Sequence, residues 1–164
     1  GGYPLQDTVA AFHQLVEDGK IRYWGVSNFD HRALADLRDV PGSSGLATDQ
    51  VLYNLSRRGP EYDLLPWCAD HQLPVMAYSP IEQGRILHDT TLNDVAARHS
   101  VSPAAAAIAW VLRRDSLCTI PKASSPQHVR DNATALDVEL TREDLDALDR
   151  AFPPPSGPRP LEML

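Results

Sequence analysis

The sequence predicts an α/β protein of four strand-and-helix units, on three observations. Four short apolar runs begin near residues 23, 47, 73 and 117, helical patterns separate them, and the first two intervals approach the about 30 residues of a βαβ unit. A chain of 164 residues with 43% hydrophobic content can fill a real core, and its length suits one domain of about 100–200 residues.

Each element has its own signal. Over residues 8–19, Val9, Phe12, Leu15 and Val16 recur at helical spacing, with Asp7 or Thr8 as a cap and Gly19 as a stop. Residues 21–27, rich in aromatic and β-branched types, predict the first strand, and Asn28-Phe29-Asp30 turns into a helix over 31–40. Pro41 to Gly45 is a loop by composition, 47–52 a second strand, and Ser56 to Pro60 a polar turn. A helix fits 61–71 with Leu64, Leu65 and Cys68 on its apolar side. The run 73–78 is a third strand, apolar on both faces as in a helix-covered parallel sheet. Helices follow over about 92–99 and 103–113, the second opened by Ser102 as N-cap and Pro103 at its first position. Residues 117–120 predict a fourth strand, a short helical stretch begins at Pro126, and Thr141 with Asp144 makes a near-capping box. The end of the chain, from Pro153, is Pro-rich.

A complete eightfold barrel needs about 250 residues, so four units bring the chain near a half-barrel in size. A four-stranded open sheet fits the same order of elements.

Composition narrows the function. Fifteen Lys and Arg against 22 Asp and Glu give a net charge of −7, and no dense basic run points to nucleic acid or an anionic membrane. Cys68 and Cys118 stand far apart, which indicates neither a disulfide framework nor a Cys-type zinc site, and the histidines have no metal-ligand spacing. No run approaches the roughly 18 apolar residues of a membrane span, and the start lacks the basic and apolar regions of a secretory signal. The expectation is a soluble, cytoplasmic protein. The first residue is Gly1 rather than Met, which raises the expectation of a processed or partial chain.

Polar residues cluster just past the strand ends, where α/β folds place ligands: Ser27-Asn28, Gln50, Tyr78-Ser79 and Lys122. Ser27, Asn28 and Gln50 supply a hydroxyl and two amides able to hold a planar carboxamide, and Tyr78 is large enough to stack on a flat ring. The plainer alternative makes Ser27 and Asn28 a turn and cap, and Tyr78 core. Lys122, with Arg130 and Asn132 near a helix start, suits a phosphate. No GxGxxG or Walker-type loop is present, so nucleotide binding must use another arrangement.

The segment Gly19-Lys20-Ile21-Arg22-Tyr23-Trp24-Gly25-Val26-Ser27-Asn28-Phe29 resembles the signature of the aldo-keto reductases. It is joined in order by Asp49-Gln50-Val51-Leu52-Tyr53-Asn54, Ala77-Tyr78-Ser79-Pro80 and Ile120-Pro121-Lys122-Ala123. The similarity covers nearly the whole chain and is strongest to the bacterial methylglyoxal and aldehyde reductase branch. It implies a (β/α)8 TIM-barrel family, with residues 1–164 as the C-terminal half of the barrel and 153–164 as a tail that borders the substrate pocket through Leu161 and Met163. It further implies that Ser27, Asn28 and Gln50 hold a nicotinamide carboxamide while Tyr78 stacks on the ring. Ser79, Pro80 and Ile81 would approach the pyrophosphate, Lys122 would pair with the 2′-phosphate of NADPH, and Asn132, with Asp131 close by, would lie near the adenine.

Two positions depart from the family pattern, Ala123 for a Ser and His128 for an Arg. A larger departure is the proton donor. Family members use a Tyr as general acid with a Lys, an Asp and a His, all from the first half of the barrel, and this chain resembles only the second half. The expected whole is an NADPH-dependent reductase of aldehydes or ketones, this chain being inactive alone. The alternatives are a noncatalytic nucleotide-binding or assembly module, completed by self-association or by a complementing N-terminal half, and a different phosphate-binding α/β enzyme.

Overall fold

The computed structural model describes residues 3–164, and its elements follow the predicted order. Helix α1 (Leu5–Glu17) begins earlier than expected: Pro4, at φ −57°, is its N-cap, so Asp7 and Thr8 lie inside the first turns rather than capping them. Gly19 leaves the helix at φ +66°, a conformation open to glycine without strain. Strand β1 (Trp24–Ser27) is shorter than the apolar run, and Tyr23 before it is exposed. Its Gly25 permits a close approach: a Cβ there would sit 2.6 Å from the Thr48 carbonyl oxygen of the neighbouring strand.

Asp30 caps α2 (His31–Arg38) by accepting the Ala33 N–H at 2.8 Å. Strand β2 (Leu46–Leu52) follows. Helix α3 (Leu64–Asp70) starts later than predicted because Gly59–Glu61 forms a separate 3-10 turn with Pro60 in it. Strand β3 (Val75–Tyr78) leads through an irregular loop to α4 (Thr90–Arg98) and α5 (Pro103–Leu112), whose alanine face, Ala105 to Ala107, is wholly buried. Strand β4 (Leu117–Thr119), α6 (Pro126–Ala133) and α7 (Arg142–Ala151) complete the chain. The α7 capping box is complete: Asp144 N–H donates to Thr141 Oγ1 at 3.2 Å, and Thr141 N–H to Asp144 Oδ2 at 2.9 Å.

The four strands are parallel and lie in sequence order, β1-β2-β3-β4. A doubly wound sheet reverses its order at a switch point; this one does not, so right-handed crossovers put the connecting helices on one side, as in successive units of a (β/α)8 barrel. Register and alternation sort the side chains. Asp49, Val51, Val75 and Ala77 face the helices and are buried, joined in the core by Leu34, Leu64 and Trp110. Gln50, Met76 and Cys118 share one row on the opposite face, where they are half-buried to exposed. Among the described residues no single helix is long and apolar enough to cross a membrane.

Candidate functional site

The C-terminal ends of β1, β2 and β3 converge on one polar constellation. Ser27 pairs with Gln50 across the β1–β2 ladder, and its hydroxyl donates to the Gln50 carbonyl at 3.0 Å. The Asn28 N–H donates to the same carbonyl at 2.9 Å, which forces Asn28 into the left-handed region at φ +59° and turns its side chain back over the strand ends. Tyr78 OH donates to Asn28 Oδ1 at 3.2 Å, joining β1 to β3 across the site. That bond uses the Asn28 carbonyl oxygen and leaves its NH2 group for a ligand. Gln50 Nε2 points at Met76 Sδ, 3.1 Å away, a weak acceptor that a better one can replace. An amide donor, an exchangeable amide and a flat phenol ring side by side match the face and edge of a planar carboxamide-bearing ring.

The loop after β3 carries the next predicted residues. Ser79 sits at φ +51°, Pro80 is buried, and Ile81 packs against both apolar clusters of the protein. Two residues that sequence reasoning did not single out hold this loop. Asn54 Nδ2 donates to the Ser79 carbonyl at 2.9 Å and to Glu82 Oε2 at 2.8 Å, while its own Oδ1 accepts the Ser56 and Arg57 N–H groups, each at 3.0 Å. Glu82, only 2% exposed, also receives Arg57 and Arg85. Burial works to raise the Glu82 pKa, but the bonds from Arg85, Asn54 and Arg57 outweigh it and hold the carboxyl below its ordinary value. The motif beginning at Asp49 ends on Asn54, which was the available hint for one of the pair. For Glu82 there was none, since Asn54 and Arg57 are remote in sequence and Arg85 three residues on reads as an ordinary surface pair.

Lys122 follows the end of β4, whereas Asp131 and Asn132 lie on α6, which packs against α5, apart from the β1–β3 constellation. Lys122 is exposed, and Ser125 caps α6 just after it. Asn132 lines an apolar groove of about 410 Å³ with Pro121, Val129 and Leu136, which suits a flat, weakly polar ring. Asp131 accepts from Gln127 Nε2 at 2.8 Å on the exposed face of α6. Beneath the constellation, Asp49 is fully buried; its Oδ1 receives the Phe29 N–H at 3.5 Å and its Oδ2 has no partner. Burial pushes its pKa up to about 7, against the Phe29 and Gln50 backbone bonds.

A family model described as the aldo/keto reductase family matches residues 2–152. A methylglyoxal reductase of Escherichia coli strain K12 is 46% identical over 169 residues, covering 100% of this chain and 60% of that protein. An aldo/keto reductase of Klebsiella pneumoniae, solved with NADP and acetate, superposes with a TM-score of 0.97 at 46% identity, again over 100% of this chain and 60% of the other. A Klebsiella pneumoniae aldo-keto reductase solved with NADPH gives a TM-score of 0.95 at the same identity and coverage. The chain thus spans about 60% of the length of these relatives.

Proposed function

This chain belongs to the aldo/keto reductase family, and from that premise we propose that it is the cofactor-binding part of an NADPH-dependent oxidoreductase that reduces small aldehydes or ketones to alcohols. The observation that carries the reading is the linked set Ser27, Asn28, Gln50 and Tyr78 at the strand ends. The donor set fits a nicotinamide. Asn28 NH2 is free to donate to the carboxamide oxygen, Gln50 can exchange its contact with Met76 for the carboxamide, and the Tyr78 ring fixes the plane of the bound ring. Bound NADPH supplies the hydride. Ser79, Pro80 and Ile81 border the pyrophosphate, Lys122 selects for the 2′-phosphate, and Asn132, with Asp131 beside it, borders the adenine in the groove after β4.

Methylglyoxal is the substrate named for the Escherichia coli relative, and a small aldehyde of that class is the proposed one here. Proton donation is a separate matter. Tyr53 OH is committed to Glu61 at 2.7 Å on the helix side of the sheet, and burial pushes its pKa up to about 12, so it does not serve as an acid at this site. The Tyr78 OH proton is already given to the hydrogen bond with Asn28 Oδ1, and the role proposed for its ring is stacking rather than acid catalysis. We therefore expect the 164-residue chain to bind the cofactor without turnover. Residues 153–164 are proposed to border the substrate pocket; Leu161 packs on the core while Met163 stays 68% exposed. A cytoplasmic setting goes with this reading.

Titrating NADPH against the purified chain tests it. Saturable change in nicotinamide fluorescence is expected, weakened roughly tenfold by Tyr78→Ala. Lys122→Ala should weaken NADPH by a similar factor, about tenfold, and leave NADH nearly unchanged. Absence of saturable binding overturns the reading, and turnover of methylglyoxal above a heat-killed control overturns the inactivity.

A second reading, a module completed by another chain or a second copy, is favoured by the sheet itself: β1 and β4 each pair on one side only. Light scattering that finds a concentration-independent monomer, without nucleotide binding, counts against it.

A further inference from the structure

The loop between β3 and α4 carries backbone strain at residues that are not glycine: Ser79, Glu82 and Gln83 have φ of +51°, +48° and +56°. Such a loop persists only where its surroundings over-determine it. Its own hydrogen bonds are few, Glu82 N–H to the Ser79 carbonyl at 2.9 Å and Gly84 N–H to the Ile81 carbonyl at 2.8 Å. Asn54 also holds the Ser79 carbonyl at 2.9 Å and Ile81 packs on the apolar clusters, and the restraint on the Glu82–Gln83 end is the buried Glu82 carboxylate. Arg57 reaches its Oε1 with Nε at 3.1 Å and Nη2 at 3.0 Å, Arg85 Nη2 reaches the same oxygen at 2.8 Å, and Asn54 holds Oε2.

The Arg57 guanidinium has a second face. Its Nη1 donates to Glu162 Oε1 at 2.7 Å, so one planar group bridges the loop and the end of the C-terminal tail, 105 residues further along the chain. A planar fork is rigid, and fixing one edge fixes the other. Beside this bridge, Leu161 packs on the core.

We propose that Glu82, Arg57 and Glu162 are positioning residues forming one unit, through which docking of the tail and ordering of the Ser79–Gln83 loop stabilise each other. Because the loop borders the pyrophosphate in the function proposed above, on which this part rests, cofactor binding tightens the tail, and by reciprocity the docked tail tightens cofactor binding.

The two methionines of the chain report both ends. Met76 touches Gln50 in the carboxamide site, and Met163 follows Glu162 in the tail. With 13C-methyl methionine, NADPH is expected to shift both signals in the wild type, and in Glu82→Gln to shift Met76 while leaving Met163 in place. Movement of Met76 with no movement of Met163 in the wild type overturns the coupling while sparing the cofactor reading. If neither moves, the cofactor reading fails, and the coupling is judged without nucleotide. There, Glu162→Gln, a half-exposed position safe for folding, should speed hydrogen exchange of the Glu82 and Gly84 amides about threefold. Unchanged exchange overturns the coupling whatever the nucleotide does. The same variant should lose about threefold in NADPH affinity with no change in the Met76 shift at saturation.

Discussion

A carboxyl group with one bonded oxygen and one orphaned oxygen, in an apolar surrounding, titrates far from its usual range, and Asp49 is such a group. Its folded pKa of about 7 lies above its unfolded value near 3.9. The native state therefore holds the proton more tightly between about pH 4 and pH 7, so stability falls as pH rises through that window and levels off above it. Asp49→Asn keeps an acceptor for Phe29 N–H and cannot ionise. Urea unfolding should find it more stable than the wild type at pH 8, by on the order of 2–4 kcal/mol, with the gap closing by pH 4. A gap independent of pH would show that Asp49 ionises freely. Ser27, Asn28, Gln50 and Tyr78 were legible in the sequence because strand ends and residue types declare a polar cluster. Glu82 was not, because nothing local in Ile81-Glu82-Gln83-Gly84 announces three positive-φ residues in succession, two of them not glycine, or a partner at Arg57.

At the scale of elements, capping signals read well: Asp30, Ser102 and Thr141 each cap the helix expected of them. Boundaries read less well where tertiary packing decides, as at α1, begun by Pro4, and at α3, delayed by the 3-10 turn before it. Helix α7 shows what a cap can add. Asp144 closes the capping box and also accepts Arg98 Nη2 at 2.6 Å and His99 Nε2 at 2.8 Å, which ties α7 to α4. Burial opposes its charge, yet the bonds from His99, Thr141 and Arg98 hold its pKa well below the usual carboxylate range. A depressed pKa stabilises above the unfolded value and is lost as pH falls through the folded one. Asp144→Asn should thus cost about 3 kcal/mol above pH 5, and the difference should narrow only in stronger acid. Chemical denaturation at pH 7 and pH 3 measures both.

The whole molecule follows from strand order. Four parallel strands in sequence order place every helix on one side and every strand end at one edge, which is why motifs scattered from Ser27 to Lys122 line a single edge of the sheet. Periodicity revealed the units but not whether the sheet opens or curls, because that depends on contacts between strands remote in sequence. Hydrogen exchange should rank the strands, with β2 and β3, paired on both sides, slowest and β1 and β4 faster; equal protection across all four would mean that β1 and β4 find partners in solution. The row that runs Ser27, Gln50, Met76, Cys118 has a practical side as well. Strands lie about 4.8 Å apart, so Cys118, exposed, stands roughly 10 Å from Gln50. Cys68 is buried and its thiol is pushed up to about 12, so an alkylating dye will find Cys118 alone. The protein comes with a single addressable handle beside the strand-end site, from which arrival of the proposed nicotinamide ring would be watched by energy transfer in unmodified sequence.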